Sequence, residues 1–160
     1  MNSRIVIVGA GGSGKDHLRN KFIEKGFKPN IAYTTRPQRE GEIDGKDYNF
    51  ISVGTFKNCI NINFWQEYNI FKDEWYYGTS FEDWESKQIF IKEPHGVSMI
   101  NPEDRKSTLV IYLAIPEEIR KERMNKRIGN ADNVERRIDA DRKDFENFTD
   151  YDIKITDPNF

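Results

Sequence analysis

Four β-branched residues, Ile5-Val6-Ile7-Val8, run directly into Gly9-Ala10-Gly11-Gly12-Ser13-Gly14-Lys15, and a helix-compatible stretch from His17 to Lys25 follows. A continuous apolar run this short reads as a strand buried on both faces, the kind that lies in a parallel sheet covered by helices. Glycines at the turn let backbone amides converge on one point. The helix N-terminus adds positive potential there, and Lys15 adds a point charge. G-x-x-x-x-G-K between strand and helix is the spacing that holds a nucleotide's phosphates, with the lysine near the β and γ groups. Gly9, Gly11, Gly12, Ser13, Gly14, Lys15 and Asp16 are the candidate residues for that task. At Asp16 the pattern usually carries Ser or Thr, whose hydroxyl helps hold Mg²⁺. A carboxylate can hold a hard cation. It can equally serve only the dipole of the helix it opens. Both readings stand.

A chain of 160 residues fits one domain with a real core. Its 25 Lys and Arg nearly balance 27 Asp and Glu, a net charge of −2, which argues against a general nucleic-acid binder. Cys59 is the only cysteine, so no internal disulfide forms and a reducing, cytoplasmic setting is expected. No apolar run approaches membrane-spanning length, and the strand begins too early to leave room for a signal peptide.

Further along, a second short strand is expected at Asn30-Ile31-Ala32-Tyr33, then a polar, glycine-punctuated loop from Thr34 to Phe50. Within it Arg36 and Arg39, beside hydroxyls and Tyr48, could grip a phosphate or could simply be solvated charges. Residues 63–79, rich in aromatics, read as an antiparallel hairpin turning near Lys72-Asp73-Glu74. Residues 87–91 read as a core strand that ends at Glu93-Pro94-His95-Gly96. Ligands of open α/β sheets sit beyond such carboxyl ends, which makes Glu93 a candidate acid. A short helix is expected over Val97 to Asn101. Thr108 to Ile115 is the longest apolar run and reads as a central strand. Pro116 at N1 opens the next helix, where Arg120, Arg123 and Arg127 share a face. Asp132 has N-cap spacing for a further helix with Val134, Ile138 and Phe145 as its stripe. Two arginine-bearing helices meeting at Gly129 suit a mobile lid over phosphates, or merely a pair of ion-paired helices. The chain closes on a strand near residues 151–156.

With two arginine sets, the pattern suggests two phosphate-bearing ligands and phosphoryl transfer between them. At this point the sequence resembles the guanylate kinase family. TTRPQREGEIDGKDYNFIS at 34–52 looks like its GMP-binding signature, YYGTS at 76–80 like its Tyr-Tyr-Gly-Ser/Thr element, and YDIKIT at 151–156 like its closing strand. The resemblance runs through nearly the whole chain in order. It implies an α/β P-loop NTPase fold: a central parallel sheet from residues 1–33 and 87–160, a mixed β/α NMP-binding insertion at about 34–86, and a helical lid at about 127–137.

By the same resemblance, Arg36, Arg39, Tyr48 and Tyr77 hold the GMP phosphate. Glu67 reads the guanine edge, and Thr79 faces the base. Lys15 reaches the ATP phosphates, and Arg123, Arg127 and Arg137 brace the transferring group. ATP and Mg²⁺ are the implied cosubstrate and metal, with Asp16 and Glu93 as the metal candidates. GMP or another nucleoside monophosphate is the implied acceptor. The chain departs from the family pattern at four places, the first being Asp16 in place of the loop hydroxyl. Tyr33 stands where a small hydroxyl is usual. Ile91-Lys92-Glu93 replaces Asp-x-Asp, so the first acid is lost. The family's final helix is not seen after residue 160. The alternatives are a kinase for another monophosphate and a phosphopeptide-binding module on the same scaffold. No Asn-Lys-x-Asp motif supports a GTPase switch.

Overall fold

A computed structural model describes residues 3–71, 74–127 and 133–160. In chain order the elements are β1 (Arg4–Gly9), α1 (Lys15–Glu24), β2 (Tyr33–Thr34), β3 (Asn49–Phe50), α2 (Val53–Asn61), β4 (Trp65–Phe71), β5 (Trp75–Ser80) and α3 (Phe81–Ser86). Then come β6 (Ile89–Lys92), α4 (Pro94–Ser98), α5 (Pro102–Lys106), β7 (Thr108–Leu113), α6 (Glu117–Asn125), α7 (Val134–Phe145) and β8 (Ile153–Ile155).

The first sheet is parallel throughout, in the order β6-β1-β7-β8. Strand alternation sends Ile5 and Ile7 to one face with Leu18, Ile111 and Leu113, and Val6 and Val8 to the other with Trp84, Phe90 and Val97. Both faces are covered, which is why β1 is apolar at every central position. Arg4 is buried at its start without cost in unmet donors. Its Nε donates to Trp84 O at 2.7 Å, and Asp104 and Glu85 pair with its other nitrogens at 3.1 and 3.3 Å. The sheet brings the loop after β1, the end of β6 and the end of β7 to one rim.

The second sheet is mixed, in the order β3-β2-β5-β4, with β2 and β3 parallel and the other pairs antiparallel. Its core is aromatic. Phe56 stacks on Trp65 at 4.2 Å, and Tyr33 meets Phe64 and Trp65 edge-on at 5.8 and 5.2 Å. Tyr33 is thus a packing residue of this sheet.

Several local expectations are corrected. The strand sought at residues 30–33 is Tyr33–Thr34 and belongs to the second sheet; at the start of that segment Pro29 bridges to Ile89 of the first, the Asn30 amide donating to Ile89 O at 2.8 Å. The helix sought at 97–101 is Pro94–Ser98, and Asn101 instead caps α5, accepting from the Asp104 amide. Pro116 is the N-cap of α6, one place before N1. Asp132, Gly129 and the hairpin tip at Lys72 and Asp73 lie outside the described residues. Asn133 caps α7, its side chain accepting from the amides of Glu135 and Arg136.

Candidate active site

The loop from Gly9 to Lys15 is held by its own backbone. The Ser13 amide donates to Ala10 O at 3.1 Å, and Gly12 and Gly14 take φ of +77° and +92°. A Cβ on Gly12 would stand 2.6 Å from the carbonyl oxygen of Arg120, and one on Gly11 would stand 2.8 Å from Arg137 Nε. Only glycine allows α6 and α7 to approach this closely. Gly14 caps α1 without a side-chain bond, so the positive end of the helix faces the loop. Ser13 Oγ is buried and has no partner among the described residues.

Around this loop the structure gathers cations. Lys15 Nζ donates to Gly9 O at 2.6 Å and Ala10 O at 3.2 Å. Its pKa is lowered to about 8, first by burial and then by Arg137, against the opposite pull of Glu93, Asp141 and Asp16. Arg123 donates to Gly12 O at 3.1 Å and to Pro158 O at 2.8 Å. Arg120 reaches Gly11 O at 3.4 Å. Arg127, just past α6, is exposed and is not joined to this group. Asp16 also points to solvent, 3.5 Å from Arg19 in the first turn of α1, where it suits the helix dipole.

The second cationic subsite lies on the second sheet. Arg36 is buried, and its guanidinium forms a two-pronged pair with Glu42 at 2.7 and 3.1 Å. Tyr48 and Phe50 lie 5.4 and 5.8 Å from its centre. Burial alone would lower the Arg36 pKa, but hydrogen bonds to Glu42 and Tyr77 outweigh it and raise it. Burial likewise pushes the Tyr48 hydroxyl up to about 12, helped by Tyr77. Arg39 is exposed, and its amide, not its side chain, meets Glu42 at 2.7 Å. The fork of Arg36 donates to both oxygens of a carboxylate here, the geometry it would offer a phosphate.

Between the two subsites is a set of polar side chains at the ends of β4, β5 and β6. Glu67 stands opposite Thr79 in the strand register, and its carboxylate pairs with Lys92. Asn30 Nδ2 lies 3.5 Å from Thr79 Oγ1. Glu93 keeps exposed surface inside a cleft of about 390 Å³ shared with Asn69, His95 and Asp144. That enclosure raises its pKa, Lys15 lowers it, and Asp144, Asp141 and Glu67 raise it again. Glu93 therefore feels Lys15 at the glycine loop and Glu67 of this polar set. The charge of Asp16, on α1, also contributes to the upward push on the Tyr48 hydroxyl of the second subsite.

The family model for guanylate kinase matches residues 1–160. The chain belongs to the guanylate kinase family. Among curated relatives, the guanylate kinase of Sulfurimonas denitrificans is 30% identical over 97% of this chain and 80% of its own length. That of Blochmanniella floridana is 43% identical, over 46% of this chain and 37% of the relative. A crystal structure of guanylate kinase from Anaplasma phagocytophilum superposes with a TM-score of 0.75, covering 99% of this chain and 79% of that one; at 18% identity it speaks for the fold. No helix among the described residues is long and apolar enough to cross a membrane.

Three participants escaped the sequence. Glu42 is in the signature string, yet nothing there says that its carboxylate fills the Arg36 fork. Asp141, on α7, accepts from the Gly11 amide at 3.0 Å and lies 3.9 Å from Arg120. Lys92 ends an apolar strand, and a lysine in that setting was the available clue.

Proposed function

We propose that this chain transfers the γ-phosphoryl group of ATP to GMP or dGMP, yielding ADP and the nucleoside diphosphate, in the cytoplasm. The observation that carries this reading is the presence of two separate cationic subsites, one at the glycine loop and one at the Arg36 fork, with Asp16 beside the first adding to the field at Tyr48 of the second. Loop amides and Lys15 hold the donor phosphates, while Arg123 and Arg137 stand beside the group in flight, with Arg127 to join them from its exposed place after α6. Arg36, Tyr48 and Tyr77 hold the acceptor phosphate, with Arg39 near it, while Glu67 and Thr79 face the base. The acceptor phosphate oxygen is already a nucleophile, so no strong general base is required. Positioning and charge neutralisation supply the rate.

The hard oxygen donors available to Mg²⁺ are Asp16, at the solvent-facing start of α1 beside Arg19, and Glu93 in the cleft. No cluster of three or more ligating side chains stands among the described residues. The metal would therefore take most of its ligands from phosphate and water, as Mg²⁺ commonly does. When bound, it neutralises charge on the phosphate oxygens. The test is a panel of common nucleoside and deoxynucleoside monophosphates, each incubated with ATP, Mg²⁺ and the purified chain. The expected products are GDP and dGDP. Diphosphate from none of the acceptors refutes the reading, and diphosphate from a different base redirects it.

A further inference from the structure

Lys92 is a charge in a place where phosphoryl transfer has no use for one. It is the last residue of β6 in the parallel sheet, and its side chain is 1% exposed. Its ammonium leaves that sheet to pair with Glu67 on β4 of the other, and it donates a second bond to Gln66 Oε1 at 3.2 Å. The rings of Trp84 and Phe90 lie 5.1 and 6.0 Å from it. Removing an ammonium this completely from water is unfavourable unless its partners are well placed. An apolar residue would end the strand without that difficulty. The partner is also enclosed. The Glu67 side chain is 12% exposed, and its carboxyl carbon would stand 3.3 Å from a Cβ added to Gly96. Glu67 is thus held by Lys92 and by the backbone at α4, while opposite it in the register stands buried Thr79.

We propose that Lys92 is a positioning residue for base recognition, fixing Glu67 so that its carboxylate presents acceptor sites to a base edge rich in N–H groups. The inference rests on the reading of GMP as acceptor. A carboxylate has about four lone-pair sites, and one bond from Lys92 leaves the others for N1–H and the 2-amino group of guanine. The pair as a whole is neutral, so a neutral base does not have to be buried against a bare charge. Adenine turns a lone pair at N1 toward the same oxygen and is repelled. Because the cation comes from the core sheet and the acid from the insertion sheet, the base reader is referenced to the frame that carries Lys15.

Steady-state kinetics of Lys92→Met, Lys92→Arg, Glu67→Gln and the double variant Lys92→Met/Glu67→Gln test this. In Lys92→Met the KM for GMP rises at least ~10-fold, while kcat and the KM for ATP stay within ~3-fold, and Lys92→Arg restores most of the loss. In the double variant, which removes both charges and spares the fold an unpaired acid, KM for GMP is no higher than in Glu67→Gln alone. A Lys92→Met enzyme with KM for GMP within ~2-fold of wild type overturns the proposal. So does a double variant whose KM rises ~10-fold above that of Glu67→Gln, since Lys92 then acts other than through the acid. Should Lys92→Met not fold, the comparison of Glu67→Gln with the double variant decides. Wild-type protein that makes no GDP from GMP and ATP refutes the function instead, and the two failures are told apart by that control.

Discussion

Replacing Lys15 by methionine separates the two things this residue does. In the nucleotide-free protein its ammonium is enclosed, although the residue as a whole keeps some surface. Its pKa falls from 10.5 to about 8, chiefly through burial and next through Arg137. Between those two values the unfolded chain binds the extra proton more often than the folded one, so unfolding free energy rises with pH across that window. Below pH 8 the folded state bears the full disadvantage of the charge. The displacement, roughly 2.5 pH units at about 1.36 kcal/mol each, amounts to about 3 kcal/mol. Methionine also leaves Gly9 O and Ala10 O without this donor, a loss of about 0.5–1.5 kcal/mol apiece. The net is a stabilisation of about 1 kcal/mol, or about 2–4 °C in Tm for a chain of this size.

Calorimetric melts without nucleotide at pH 7 and pH 10 check the sign. Lys15→Met melts above wild type at pH 7, and the gap narrows toward pH 10 as the wild-type ammonium discharges. Adding ATP and Mg²⁺ at about 100 times Kd stabilises wild type by about 2.7 kcal/mol and reverses the order. Turnover of the variant falls at least ~100-fold. A variant that melts at or below wild type at pH 7 without nucleotide refutes the argument that this charge is held against the fold's own preference.

Three further outcomes follow from the geometry. Arg36→Ala lowers kcat/KM for GMP at least ~100-fold in steady-state assays, because it removes the fork now filled by Glu42; wild-type kinetics would break the link between that fork and the acceptor phosphate. Gly12→Ala combines φ of +77° with a Cβ 2.6 Å from Arg120 O, so urea titration shows a loss of about 2 kcal/mol or more and ATP affinity drops with it; an unchanged midpoint would contradict the close approach. Burial alone would raise the Asp152 pKa, but the Val110 amide at 2.8 Å and Arg105 hold it below 3.8. Its stabilisation is therefore present above pH 3.8 and lost as pH falls through the lower folded value, so Asp152→Asn is less stable than wild type at pH 7 and the two melts converge near the acid limit, a convergence that a pH series of melts would reveal or deny.

What the string of residues disclosed, and what it withheld, divides along the distance over which each feature is encoded. Residues 4–15 carry their structure locally, through β-branching and positive-φ glycines, and β1, the loop and α1 were all legible. The run at Thr108–Leu113 was legible for the same reason. The helices α2 to α5 are short, from 5 to 9 residues, and α2 buries only Phe56, so no apolar stripe announces them. Tyr33 reads as the end of a first-sheet strand and Thr34 as the start of a loop until their pairing with Gly78 and Tyr77 is seen, and pairing is not written in either segment.

The acids of α7 show the limit most clearly. Asp139, Asp141 and Asp144 lie within six residues and are chemically alike. Yet Asp139 pairs with exposed Arg142, Asp144 lines the cleft beside Glu93, and Asp141 reaches a loop amide 130 positions away. Phase relative to Ile138, which is 1% exposed, is the signal that separates the first two: Asp141 follows it by three residues and shares its inward face, whereas Asp139 follows by one and turns out. That phase says which acid faces the protein. Only the packing of α7 against the glycine loop, with Asp141 on the Gly11 amide and Arg137 beside Gly11, makes the inward acid a neighbour of the phosphate site.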